Sequence, residues 1–270
     1  MSQTDLPTGS TTGWEREHRY GERVHLLDNV YLLSALARIG SPDVAHRDLM
    51  ALLRSVYQTL LVVSCGRELP RVRTETPTRM AEGHPERGIY RGEVFDPSVN
   101  VVVVDVIRAG IVPSQVCFEL MTALLPADRV RHDHLTMARV SNADGEVTGV
   151  DLSGSKIGGS VDGSILFLPD PMGATGQTTV RALEHYTETY GKPSKIVALP
   201  MISTPEYLRT VLDVDDLVVY TARLDRGMSD PDVLGTVPGT YWDRERGLDD
   251  KSYIVPGAGG MGEVINNSWC

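Results

Sequence analysis

The chain has 270 residues, of which 41% are apolar and 23% are charged, and this composition suits one large α/β domain or two small ones. The formal net charge of −10 argues against broad binding to nucleic acid or to an anionic membrane, so an anionic substrate would need arginines gathered locally. Three cysteines form no C-x-x-C pair and no run reaches 18 apolar residues. With no signal peptide recognisable at the start, we expect a cytoplasmic protein.

The N-terminal part of the chain predicts a tail followed by helices. Residues 1–17 are rich in Ser, Thr and Gly, which predicts a flexible tail ahead of a single domain over residues 18–270. From Val24 the pattern is interpreted as helical, and apolar residues three and four apart predict helices over 30–39 and 48–65. From the residues alone, these helices would form a flap packed on the core. Residues 78–98 predict a loop or hairpin.

The first strand–loop–helix unit follows this region. The run Val101–Val106 is strongly β-prone, and residues 112–125 have helical periodicity. Arg108 lies between them, where a central strand would end. Because ligands of open α/β sheets lie beyond the carboxyl ends of the strands, Arg108 is positioned to meet an anion. An ordinary surface arginine would give the same pattern.

The next segment predicts a strand over 134–140, a turn over 142–145 and a returning strand over 146–152, which together form a hairpin. His132 and His134 could suggest a metal pair. The sequence offers no matching Cys, His or carboxylate set beside them, so we predict no metal site built from protein side chains.

The most informative stretch is 165–179. The apolar run Ile165–Leu168 predicts a buried strand, Asp170 follows it, and a loop of glycines and hydroxyl residues leads into a helix over 178–190. Loop N–H groups and a helix N-terminus can hold a phosphate. No Lys follows Gly176, which excludes a Walker-type loop. A carboxylate beside a phosphate cradle suits a sugar phosphate, although an ordinary strand-to-helix turn would have a similar composition.

The remaining chain predicts strands over 195–200 and 216–221, a helix that begins at Thr204-Pro-Glu206, and a long loop over 228–250. The segment Gly257–Gly262 formally fits G-x-G-x-x-G. Only eight residues follow it, and Asn266, Asn267 and Ser268 among them are poor helix formers, so we reject a dinucleotide site there.

Several motifs resemble those of one enzyme family. The segment Asp170-Pro-Met-Gly-Ala-Thr-Gly176 resembles the Asp-Pro-Met-x-Ala-Thr-Gly signature of uracil phosphoribosyltransferases. Further segments are similar to that family in the same order: Ile107–Gly110, Tyr220–Asp225 and Tyr253–Gly257. Four separate motifs that match in the family's order rarely arise by chance.

The resemblance implies a fold and an activity. The fold would be α/β of the phosphoribosyltransferase type I class, a largely parallel sheet flanked by helices, with an N-terminal helical arm and a C-terminal hood. The enzyme would transfer ribose 5-phosphate from 5-phosphoribosyl 1-diphosphate (PRPP) to uracil, giving UMP and diphosphate in pyrimidine salvage. Mg²⁺ would be bound mainly through the diphosphate, and the protein would be a homodimer or a higher homo-oligomer.

The resemblance also assigns site residues. Arg108 and Arg139 would hold the diphosphate and Asp170 the ribose hydroxyls, as the catalytic set. The remaining PRPP contacts would come from Met172, Gly173, Ala174, Thr175, Gly176, Gln177 and Thr178. The base would be held by Tyr253, Ile254, Gly259, Gly260 and Met261.

The chain departs from the family pattern at four positions. Gly260 and Glu263 stand where the family has Asp, Val264 where it has Arg, and Gln177 where it has Gly. The family's Asp at position 260 lies close to the reacting centre. Its absence keeps two alternatives open: a homologue that binds PRPP and regulates without turnover, and a phosphoribosyltransferase for a different base.

Overall fold

The structure is a computed structural model that describes residues 14–141 and 147–269. Within these ranges the side chains at 138–141, 147, 148 and 150 are not described. Most of the predicted tail, and the predicted turn at 142–145, therefore lie outside the described residues.

A largely parallel sheet forms the centre of the described chain. The strands of the described chain are β1 (Val24–Leu26), β2 (Arg71–Pro77), β3 (Ile89–Phe95), β4 (Val101–Ile107), β5 (Val130–Ser141), β6 (Val147–Lys156), β7 (Ile165–Gly173), β8 (Lys195–Ser203), β9 (Leu217–Thr221) and β10 (Arg223–Leu224). The strands of the central sheet follow the order β1-β9-β8-β7-β4-β5-β6, with β10 beside β8. All neighbouring pairs are parallel except β5 and β6. A separate antiparallel hairpin is formed by β2 and β3.

Helices cover both faces of the sheet. They are α1 (Val30–Ile39), α2 (His46–Glu68), α3 (Ile111–Thr122), α4 (Gln177–Thr189), α5 (Pro205–Val211), α6 (Pro231–Leu234) and α7 (Met261–Asn266). Strand β4 explains this arrangement, because its side chains alternate between two cores. Val101 and Val103 pack in the core that contains α1, α2, α3 and α7. Val102 and Val104 pack in the core that contains α4 and α5. A strand covered on both faces needs a continuous apolar run.

Most sequence predictions of elements are confirmed. Helix α1 has the predicted bounds, and α5 begins as expected, with Pro205 in its first turn and the Thr204 hydroxyl accepting a hydrogen bond from the Tyr207 N–H at 3.0 Å. The antiparallel pairing of β5 with β6 is confirmed as well.

Two predictions are wrong, and a third is refined. Residues from Val24 form strand β1, which pairs with β9, because pairing at the sheet edge outweighs the weak helical pattern. The glycine-rich C-terminus does form a short helix, α7. The predicted arm is refined, because α2 packs on the sheet core. Its buried residues are Leu49, Leu53, Val56, Tyr57, Leu60, Leu61, Ser64 and Cys65.

Helix α2 also has a length and composition that would allow it to cross a membrane, the one such helix among the described residues. Its buried face, however, lies in the core shared with α1, α3 and the sheet.

Candidate active site

A cleft with a volume of about 720 Å³ opens at the carboxyl ends of β4 and β7. These strands are parallel neighbours, with Val101 opposite Ile165, so the turns that follow them leave the sheet at the same edge. Three segments line the cleft: the turn after β4, the end of β7 with the start of α4, and residues 252–263. Two residues of β5 complete the lining, Thr136 and Met137.

The turn after β4 brings Arg108 into the cleft. The chain folds back tightly here, because a Cβ on Gly110 would lie 2.8 Å from the backbone nitrogen and oxygen of Val106. Only glycine tolerates so close an approach without displacement of the backbone. The Gly110 N–H donates to the Val106 carbonyl at 2.9 Å, and α3 begins at the next residue.

Helix α7 docks on this turn. Arg108 Nη2 lies 3.3 Å from Glu263 Oε1, and its Nη1 donates to the carbonyl of Ser268 at 3.2 Å. In return the Asn266 side-chain amide donates to the Arg108 carbonyl at 3.3 Å. The Arg108 and Glu263 side chains are each about one-third exposed. An anion that enters the cleft and binds Arg108 would therefore either displace the Glu263 carboxylate from the Arg108 guanidinium or share the guanidinium with it.

Asp170 lines the same cleft. Strand β7 extends past Asp170, whose Oδ1 accepts the Met172 N–H at 3.2 Å. Two buried phenols lie behind it. Burial raises the pKa of Tyr57, and the negative charge of Asp170 raises it further. Burial likewise raises the pKa of Tyr207, again with a contribution from Asp170. Both phenols therefore remain neutral beside the carboxylate.

Of the predicted loop residues, Met172, Ala174 and Thr178 line the cleft. The two glycines allow close packing on the other side of the loop. A Cβ on Gly173 would lie 2.9 Å from Cβ of Pro200, and one on Gly176 would lie 2.9 Å from Cβ of Thr210. Gly176 has a φ of +81° and immediately precedes α4. Gly173, Thr175, Gly176 and Gln177 do not contribute to the described cleft lining.

The predicted base-binding residues all line the cleft: Tyr253, Ile254, Gly259, Gly260 and Met261. An ion pair holds their segment in place. Arg223 Nε lies 2.6 Å from Asp225 Oδ1, and Asp225 Oδ2 accepts the Gly257 N–H at 2.8 Å. Arg223 also donates to the Gly257 carbonyl at 2.9 Å. The segment Tyr220–Asp225, singled out in the sequence, thus supports the C-terminal loop from behind.

Glu263, for which no role was predicted from the sequence, also lines the cleft. Its Oε2 occupies the space directly above Gly260, where any side chain at position 260 would begin. A carboxylate is therefore present beside Gly260, contributed from one turn further along the chain. The sequence contains one signal for this contact: Glu263 lies three residues after Gly260, which immediately precedes α7. Residues at i and i+3 are neighbours on a helix surface.

The predictions for Arg139 and for the His132–His134 pair have different outcomes. Arg139 lies in β5 opposite Val150, but its side chain is outside the described part of the structure, so its role stays a prediction. The argument that no third ligand accompanies His132 and His134 is wrong. The carboxylate of Asp105, on the neighbouring strand, lies within 4.8 Å of a ligand atom of each histidine.

Sequence comparisons with known proteins identify one family, and a solved structure has a similar fold. A family model described as uracil phosphoribosyltransferase matches residues 26–245. A uracil phosphoribosyltransferase of Thermosipho melanesiensis is 26% identical, over 90% of this chain and 98% of its own. One of Pyrobaculum arsenaticum is 27% identical, over 89% and 97%. The structure of the AQ2163 protein from Aquifex aeolicus has a similar fold, with a TM-score of 0.67 at 19% identity, over 90% of this chain and 97% of that one.

Proposed function

The chain belongs to the uracil phosphoribosyltransferase family, and from that premise we propose that it transfers ribose 5-phosphate from PRPP to uracil, forming UMP and diphosphate. One observation carries the proposal: a single cleft is lined by Arg108, by Asp170 and by the 252–263 segment. The transfer needs a cation for the leaving diphosphate, a hydrogen-bond acceptor for the ribose, and a polar surface for a flat base. Arg108, Asp170 and the 252–263 segment would supply these in turn.

In the proposed mechanism the bond from the ribose C1 to the diphosphate oxygen breaks and a bond from C1 to a ring nitrogen of uracil forms. The proton of that ring nitrogen passes to the departing diphosphate or to water. Positive charge develops on the ribose and negative charge on the leaving diphosphate. Arg108 stabilises the leaving group by a charge-assisted interaction, and Asp170 accepts hydrogen bonds from the ribose hydroxyls. Holding both substrates in one cleft contributes through proximity and orientation. Arg139 would add a second cation for the diphosphate, as the resemblance implies.

The 5′-phosphate would be bound by the turn into α4. The Thr178 hydroxyl lines the cleft in the first turn of that helix. Unpaired N–H groups and the partial positive charge of a helix N-terminus favour a phosphate at this position.

The family also implies Mg²⁺, and the donors of the cleft fit that ion. The carboxylates of Asp170 and Glu263 and the hydroxyls of Thr136 and Thr178 all line the cleft. Such hard oxygen donors suit Mg²⁺, which binds proteins through one or two carboxylates together with substrate phosphates and water. When bound, the ion neutralises diphosphate charge. Asp170 and Glu263 are the residues that would hold it.

The base would lie against Gly259 and Gly260, whose lack of side chains exposes backbone groups to the donor–acceptor edge of a pyrimidine. The Glu263 carboxylate beside Gly260 supports turnover in spite of the missing aspartate at that position. We further propose that the protein acts in the cytoplasm. The family resemblance implies that it forms a homodimer or a higher homo-oligomer.

The test is an assay of the purified chain with PRPP, Mg²⁺ and uracil, in which UMP and diphosphate are both measured. We expect the two products in equal amounts. Parallel reactions with cytosine, orotate, hypoxanthine and adenine determine whether uracil is the preferred base. Binding of PRPP without product from any of these bases would contradict the proposal and favour a regulatory homologue.

A further inference from the structure

Beneath the Arg108 turn, three potential metal ligands come together on neighbouring strands. In the parallel pairing of β4 with β5, Asp105 lies opposite His134 and Val103 lies opposite His132. The two histidines are two residues apart on β5, so they share one face of the sheet, and their ring centroids are 4.4 Å apart. One ligand atom from each of Asp105, His132 and His134 lies within 4.8 Å of the others.

Asp105 is the most unusual member of this cluster. Its side chain is only 3% exposed, and Oδ2 lies 2.8 Å from His134 Nδ1. The other oxygen, Oδ1, is fully buried and has no hydrogen-bond partner within the described residues. Buried polar atoms nearly always have a partner, and a carboxylate oxygen without one is costly. No Lys or Arg ion pair to Asp105 occurs in the described chain, and a bound cation would supply the missing interaction.

The histidines are arranged to present ring nitrogens to the same space. His132 stacks on Phe118 with ring centroids 5.1 Å apart, and its Nε2 lies 2.9 Å from Ser114 Oγ. Stacking on one side and a hydroxyl at one nitrogen orient the imidazole, as partners around a ligating histidine commonly do. His134 is 43% exposed, which gives it room to rotate.

We propose that Asp105, His132 and His134 form a binding site for one divalent transition-metal ion of the Zn²⁺ type. Two imidazoles and one carboxylate are a donor set that such ions prefer, whereas Mg²⁺ favours oxygen ligands alone. With metal–ligand bonds of about 2.0 Å, the ligand atoms of a tetrahedral site lie about 3.3 Å apart. The ligand atoms now lie within 4.8 Å of one another, so metal binding would draw the three side chains closer together and leave a fourth position for water.

The proposed site is separate from the substrate cleft. None of its three residues lines the cleft, although Thr136 and Met137 of the same strand do. It lies directly under the diphosphate-binding turn, because a Cβ on Gly110 would lie 3.1 Å from Asp105 Oδ1. A metal there would join β4 to β5 and hold the base of the Arg108 turn. The inference does not depend on which base the enzyme uses.

The experiment uses the untagged full chain, stripped of metal with a chelator and then dialysed against Zn²⁺ in the presence of millimolar Mg²⁺. We expect one equivalent of Zn²⁺ to be retained and the thermal midpoint to rise, since a ligand that binds only the folded state stabilises it. Co²⁺ in place of Zn²⁺ should give visible absorption bands of a nitrogen- and oxygen-ligated ion.

Variants identify the ligands. His132→Gln and His134→Gln should each weaken Zn²⁺ binding about tenfold or more, in line with the loss of one of three ligands, and the double variant should retain none. The control is His84→Gln, which changes an exposed histidine in the turn between β2 and β3 and should leave binding unchanged. Asp105→Asn should also lose the metal. If that buried change prevents folding, the histidine variants decide.

Two results would overturn the proposal. The first is a wild-type chain that retains no Zn²⁺ under these conditions. The second is a double histidine variant that is folded by circular dichroism and still retains one equivalent, which would place the metal elsewhere.

Discussion

The two walls of the cleft are built in different ways. The wall proposed to bind PRPP consists of turns that leave two buried parallel strands, so the sheet itself fixes Arg108 and Asp170. The opposite wall, residues 252–263, belongs to no strand of the sheet and is tied to it by the Arg223–Asp225 pair. The family match ends at residue 245, so it covers the first wall and not the second. A site divided in this way can change its base-binding loop without disturbing the sheet.

The contact between Arg108 and Glu263 joins the two walls. It links Arg108, which is proposed to stabilise the leaving diphosphate, to the loop proposed to hold the base. Variants on each side should therefore separate effects on PRPP from effects on the base, and only changes at this contact should affect both.

The largest expected effect is that of Arg108→Ala. Loss of a charge-assisted contact to the leaving group should lower kcat/KM by about 10²–10³-fold. Arg108 is partly exposed and lies in a turn, so the variant should remain folded by circular dichroism. Arg181→Ala, which removes an exposed arginine on α4, is the matched control. Unchanged UMP formation in Arg108→Ala would contradict its assignment.

Asp170→Asn should have the next largest effect. An amide is a weaker acceptor for ribose hydroxyls than a carboxylate, and a charge-assisted hydrogen bond contributes about 1.5–3 kcal/mol, which corresponds to a loss of about 10–100-fold in kcat/KM. The readout is steady-state kinetics with PRPP as the varied substrate. Asp128→Asn, at an exposed position between α3 and β5, should behave as the wild type. Equal losses in both variants would indicate a nonspecific charge effect.

Glu263→Gln should affect kcat and the KM for PRPP in different ways. Removal of the carboxylate beside Gly260 should lower kcat about tenfold, which corresponds to an increase of about 1.4 kcal/mol in the activation free energy. Arg108 would no longer exchange its ion pair for the diphosphate, so the KM for PRPP should stay the same or fall. A higher KM for PRPP with an unchanged kcat would show that Glu263 acts in PRPP binding alone.

Gly260→Asp tests whether Glu263 has taken the position of the family's aspartate. Although it restores that residue, the new side chain would meet the Glu263 carboxylate, and two carboxylates in contact repel. We expect a several-fold loss of kcat, of the order of 1 kcal/mol. The double variant Gly260→Asp/Glu263→Ala should recover activity relative to Gly260→Asp. A single variant more active than the wild type would mean that the two positions are independent.

The wall proposed to bind PRPP could be largely predicted from the sequence. Its motifs directly follow apolar runs that are typical of strands buried on both faces. Arg108 and Asp170 each come after such a run, and parallel neighbours bring both to one edge. The second wall could be predicted only by resemblance. Its residues lie in a glycine-rich segment whose pattern does not reveal that Asp225 anchors it, since this hydrogen bond to Gly257 spans 32 residues.

Two other features depended on strand register, which local patterns do not specify. Asp105 looked like one polar residue in a β-prone run, and only the pairing of β4 with β5 brings it opposite His134. The three residues of β1 are too few for a periodic signal, and their partner β9 lies almost 200 residues further along the chain. Long-range pairing therefore decided both cases.

The smallest expected effect is that of Tyr253→Ala, which tests the base wall alone. Tyr253 lines the cleft but is 49% exposed, so its loss removes only part of the contact with a flat base. We expect the KM for uracil to rise about three- to tenfold, the range for about 0.7–1.4 kcal/mol of aromatic contact, with the KM for PRPP unchanged. Tyr241→Ala is the matched control, since that tyrosine is 44% exposed and lies outside the cleft lining. An equal rise in the KM for both substrates would mean that the two walls are coupled through more than the Arg108–Glu263 contact, and the separation of PRPP from base recognition would then be wrong.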